Sequence, residues 1–230
     1  MGDRAARAPR YCLAVALPDP PSGFKPRLRG VVHQWAFFVS LATGAALVAL
    51  ARGGTARAAV AVYAISLSGL FGTSALYHRV TWTPRARRRM RRLDHSMIFV
   101  LIAGTTTPFA ILGLDGAASW RLLGLVWGGA LAGVILAVAW AQAPKALTAT
   151  IAVAVGCAGI TALGTLHDRL GWLGIAGLAA GGLLYTVGAA VYVVRRPDPA
   201  PAVFGYHEVF HVLVVAAAAL HLAVVAGTVV

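Results

Sequence analysis

The chain has 230 residues, of which 59% are hydrophobic and 12% charged, a balance far from the mixed surface that a soluble domain of this length needs. Its formal net charge is +13, but arginine and lysine gather in short tracts between long apolar runs. No aromatic-basic interleaving accompanies them, which excludes nucleic acid as the expected partner and favours membrane lipids with anionic headgroups.

Residues 1–30 are rich in Arg, Pro and Gly and are expected as a basic cytoplasmic tail along the membrane surface. Within it, Arg4, Arg7 and Arg10 precede a short apolar patch, Tyr11 to Leu17, broken by Pro18, Pro20 and Pro21. The patch is too short to span a bilayer and does not read as a secretory signal. Cys12 lies in the tail and Cys157 in an apolar run, neither in a CxxC or metal-type pattern, so disulfide support is not expected.

From residue 31 onward, apolar runs of about twenty residues alternate with polar breaks, the length a helix needs to cross roughly 30 Å of hydrocarbon. Spans are expected at about 32–51, 57–78, 94–114, 119–140, 146–166, 171–194 and 205–228,. The fold class is therefore all-α, an integral membrane bundle of seven transmembrane helices over residues 31–230. Trp35, Trp82, Trp120, Trp140 and Trp172 sit at run ends, where an interfacial belt places them. Gly128, Gly129 and Gly133, and Gly177, Gly181 and Gly182, have the small-residue spacing of close helix contacts. Pro108 follows Thr105, Thr106 and Thr107, a pattern that predicts a kink with hydroxyls meeting freed carbonyls.

With the N-terminus inside, sixteen of the twenty basic residues fall in inner segments and four (Arg52, Arg57, Arg121 and Arg169) in outer ones. That bias predicts an inside N-terminus, an outside C-terminus and a multi-pass protein of the cell membrane. The orientation has a consequence for chemistry. The second span ends at His78 on the inner face, and the third and seventh begin there at Asp94 and His207. Ser74 and His211 each lie one turn deeper, about 6 Å.

His207 and His211 are four apart, so both imidazoles share a helical face. With His78 they form a set of three neutral imidazoles, the arrangement of catalytic zinc with an open fourth position. Asp94 and Ser74 are the expected catalytic groups beside it. The plain alternative is an incidental histidine pair with an intramembrane hydrogen bond. His-Glu-Val-Phe-His also fits H-E-x-x-H, in which Glu208 would be a general base; the favoured reading of Glu208 is a helix N-terminal carboxylate facing headgroups. His33 opens the first span on the inner side and can line the same cavity. His95 points about 100° from Asp94, His221 lies some 21 Å from the start of the last span, and His167 is expected in a solvated outer loop beside Asp168.

Several runs carry a family resemblance: Ser-Ala-Leu-Tyr-His at 74–78, Arg-Arg-Leu-Asp-His-Ser with Ile-Ala-Gly-Thr-Thr-Thr-Pro-Phe at 91–109, Gly-Gly-Leu-Leu-Tyr-Thr-Val-Gly at 181–188, and His-Glu-Val-Phe-His with Ala-Leu-His at 207–221. In that order they resemble the bacterial hemolysin III family, the prokaryotic branch of the progestin and adipoQ receptors, themselves similar to alkaline ceramidases. The resemblance covers residues 31–230. It implies seven helices and zinc held by His78, His207 and His211, with Ser74 and Asp94 in the site; Glu208 is outside the shared set. The expected activity is a metal-dependent intramembrane hydrolase acting on a lipid amide, an activity class that only the resemblance suggests. The alternatives are a receptor-like sensor with structural zinc, a pore-forming cytolysin or, through Glu208, an intramembrane metalloprotease.

Overall fold

A computed structural model describes residues 25–229; the expectations for residues 1–24, including Cys12 and the Tyr11–Leu17 patch, lie outside the described residues. The described chain is helical, with no strand beyond one isolated backbone bridge between Ala200 and Phe204. Its helices are α1 (Val31–Leu50), α2 (Gly54–Arg79), α3 (Pro84–Gly113), α4 (Gly116–Ala139), α5 (Lys145–Gly156), α6 (Leu163–Val194) and α7 (Tyr206–Val229), with a 3₁₀ segment, Cys157–Ala162, between α5 and α6. Six helical tracts are long and apolar enough to cross a membrane, Lys145–Val194 counting as one. The chain is a multi-pass membrane protein.

α3 starts ten residues earlier than its apolar run. Thr83 caps it by accepting from the Ala86 N–H, Pro84 occupies the first turn, and the arginines that follow are good helix formers. Most of the Arg-rich polar break before the third apolar run is therefore a helical extension. α3 runs on through Pro108 to Gly113. The Thr106 and Thr107 hydroxyls donate to the Ile102 and Ala103 carbonyls, not to the Gly104 carbonyl that Pro108 leaves without its helical donor.

The break expected between 166 and 171 is also different in form. Helix persists from Leu163 up to Gly171, whose φ of 64° and ψ of 179° are non-helical and fall in a region open essentially to glycine. His167 is consequently helical, not looped, and its ring packs 4.3 Å from that of Trp172.

Successive helices pack side by side, α1 closes against α7, and α3 lies at the centre, touching α2, α4, α5, α6 and α7. Polarity is partly inverted relative to a soluble bundle. Trp35, Ile65, Trp120, Leu131, Trp172 and Leu173 face outward, whereas Ser40, Ser66, Ser68, Thr105 and Thr107 are buried. Such polar groups find interior partners: Ser40 pairs with Ser68 at 3.0 Å, and Trp127 donates to Thr107, as hydrocarbon demands. Gly129, Gly133, Gly177 and Gly181 meet Val155, Phe99, Val224 and His221 on neighbouring helices, while Gly128 and Gly182 face open space.

Candidate metal centre

The centre is assembled by helix ends. His78 occupies the last turn of α2, and His207 and His211 the first two turns of α7. The start of α7 is pinned by two side chains, since Tyr206 N–H donates to Asp198 Oδ1 and Gly205 N–H donates to Glu208 Oε2, each at 2.8 Å. The second is half of a capping box, with a carboxylate three residues into the helix reaching back to the cap. His207 and His211 then share a face by helical period.

Potential ligand nitrogens of His78, His207 and His211 lie within 4.8 Å of one another. The Nε2 atoms of His78 and His207 are 3.1 Å apart, close to the spacing of about 3.3 Å for two nitrogens bound tetrahedrally at 2.0–2.1 Å from zinc. His211 is 2% exposed, and its Nδ1 is buried with no hydrogen-bond partner among the described residues. A buried acceptor or donor in that state is uncommon. Three neutral nitrogen donors at this spacing fit a tetrahedral divalent cation such as zinc, with one position left for water or substrate.

His33, at the start of α1, stacks on His211 with centroids 3.7 Å apart and rings 6° from parallel. Its Nδ1 is hydrogen-bonded to Ser74 Oγ at 2.8 Å, and Ser74 in turn neighbours the Asp94 carboxyl. A continuous polar chain therefore runs His33–Ser74–Asp94 beside the three imidazoles. His95 is turned toward a crevice with Ala137, Trp140 and Thr148; its Nδ1 bonds the Arg91 carbonyl and lies 3.6 Å from Asp94 Oδ2. His221 sits elsewhere, against Leu178 and Tyr185.

Glu208 does not face headgroups. It is 0% exposed, with Oε1 2.6 Å from Arg29 Nε and Oε2 on Gly205 N–H, because the segment before α1 folds over it. Nothing in the helical pattern marked Arg29 as its partner. A second feature without a sequence signal is Lys145, whose ammonium lies 4.0 Å from the Tyr192 ring centre and donates to the Tyr206 hydroxyl. Lys25 Nζ donates to the Arg79 carbonyl; partial desolvation, then repulsion from Arg79, Arg87 and Arg29, holds its pKa below the ordinary lysine value.

Comparison with known proteins places the chain in a family. "Hemolysin-3" of Bacillus cereus is 35% identical over 145 residues, 62% of this chain and 66% of that protein. "Hemolysin-3 homolog" of Bacillus subtilis (strain 168) is 32% identical over 135 residues, 59% of this chain and 63% of that protein. Each alignment spans just under two thirds of the relative's length. No solved structure matches the chain. The model of the family described as "Haemolysin-III related" matches residues 22–222, beginning before the first motif and taking in all five candidate site positions; the chain belongs to the haemolysin-III-related family.

Proposed function

We propose that this protein is a zinc-dependent intramembrane hydrolase whose substrate is a lipid amide, embedded as seven spans in the cell membrane with its N-terminus inside. The observation that carries the reading is the convergence of three imidazoles, a carboxyl and a hydroxyl at one end of the bundle.

The seventh span comes from the Lys145–Val194 tract. Fifty residues of straight helix would be about 75 Å long, more than twice the hydrocarbon thickness, and the kink at Gly171 is the point at which this reading divides the tract into an outward and an inward crossing. The basic residues then lie sixteen inside to four outside, and the centre sits at the inner-leaflet level.

When bound, zinc supplies Lewis acidity that polarises a carbonyl and makes water nucleophilic. Ser74, hydrogen-bonded to His33, orients the Asp94 carboxylate, which accepts a proton from the attacking water. As the carbon–nitrogen bond breaks, Asp94 returns that proton to the leaving amine. His33 holds the His211 ring in plane by stacking. The lipid environment beside the inner end suits an amphiphile whose polar linkage lies near its headgroup. Turnover of a fluorogenic acyl-amide lipid by purified protein, lost in Asp94→Asn with zinc retained, is the expected result; undiminished turnover in a zinc-free His207→Ala/His211→Ala variant would sink it.

A cytolytic role is the second reading, favoured by the hemolysin names of the relatives. Against it stands an interior filled by Tyr63, Phe99 and Val126, each at most 1% exposed. Metal-independent dye release from liposomes would favour it. The metalloprotease reading is weaker still, since both Glu208 oxygens are engaged by Arg29 and Gly205.

A further inference from the structure

The segment leading into α1 touches both helices that carry the three imidazoles. Arg27 and Leu28 donate backbone N–H bonds to the Ala202 and Val203 carbonyls, each 3.1 Å, so the segment lies along the α6–α7 connection. Lys25 Nζ donates to the Arg79 carbonyl at the end of α2. Gly30 has φ +79°, and a Cβ there would stand 2.7 Å from His78 Cβ; a residue without a side chain lets the backbone pass directly over the ligand's own carbon. Between these ties, Arg29 Nε lies 2.6 Å from Glu208 Oε1, the arginine side chain 20% and the glutamate 0% exposed.

We propose that residues 25–30 are a clip that fixes the separation of α2 and α7 at the histidine centre, and that Arg29 is its positioning residue. It acts on His207 through Glu208 without touching metal or substrate. α2 and α7 meet each other directly only sparingly, most of their packing being with α1, α3 and α6, so an external tie has work to do in holding His78 and His207 at 3.1 Å. Glu208 is suited to transmit it. The same carboxylate binds Arg29 and caps the turn in which His207 sits, and it cannot leave the guanidinium without stranding a buried charge. Part of the test rests on the metal-binding reading above; the other part does not.

The test uses full-length protein in detergent micelles, with three readouts: zinc affinity by chelator competition, the visible spectrum of the cobalt(II)-loaded protein, and amide exchange at residues 205–211. Arg29→Gln is expected to weaken zinc binding by about 10–100-fold, to shift the cobalt bands that report ligand geometry, and to speed exchange at the start of α7. Arg29→Lys should recover part of each. The Arg29→Gln/Glu208→Gln double variant should lose no more zinc affinity than the worse single one, because a single interaction is being removed. Unchanged zinc affinity with wild-type cobalt bands in Arg29→Gln overturns the proposal. Wild-type protein that takes up no metal defeats the zinc reading instead, and exchange in metal-free protein then decides the clip: unaltered protection at 205–208 overturns it, faster exchange supports it. If Arg29→Gln does not fold, Arg29→Lys carries the same readouts.

Discussion

In the proposed hydrolysis the chemistry turns on His78, His207 and His211, which the fold brings together, and their neighbours explain why the grouping of five candidate positions was legible from sequence while two relationships were not. Spacing along a helix sets depth and face, so helical rise assigns His78, Asp94 and His207 to one level and Ser74 and His211 to a second, one turn deeper. The stack of His33 on His211 and the burial of Glu208 under Arg29 depend on which helices lie side by side, which rise does not encode. At this scale two outcomes are expected. Asp94→Asn should lower hydrolysis by about 10²–10⁴-fold in a turnover assay while leaving zinc content and the thermal unfolding midpoint near wild type. His33→Phe keeps the ring stack but removes the bond to Ser74; it should retain zinc within about 10-fold of wild-type affinity and lose turnover, as expected for a partner that orients the site from outside the ligand set. Loss of both together would show that His33 is needed for binding itself.

Among the elements, hydropathy located the apolar runs but not their ends. α3 gains its basic first turns from the Thr83 cap and Pro84, signals that a hydropathy window averages away. Polarity near residue 168 predicts a loop, yet the chain kinks at Gly171 with helix on both sides, because a single glycine in a region closed to other residues can break a helix without a polar linker. Replacing it with valine should therefore destabilise the protein by about 1–3 kcal/mol, seen as a lower unfolding midpoint in detergent. Gly182, which faces open space, should accept alanine with little change. An unchanged midpoint in Gly171→Val would show that the helix break does not depend on this glycine.

For the molecule as a whole, the proposed orientation ties charge and the candidate metal centre to one end. The basic tracts, the histidine cluster and the Arg29 clip share it, so orientation and site stand or fall together. In a cysteine-free background, a cysteine at Thr83 should resist a membrane-impermeant maleimide in intact cells and react after permeabilisation, whereas one appended after Val230 should react from outside. The reverse pattern would put the centre at the outer leaflet. Whether His78, His207 and His211 hold an ion is read from the metal content of purified protein by mass spectrometry. Wild type should carry about one zinc per chain and an equally folded His78→Ala variant close to none; wild type without zinc, or His78→Ala with an undiminished load, would contradict it.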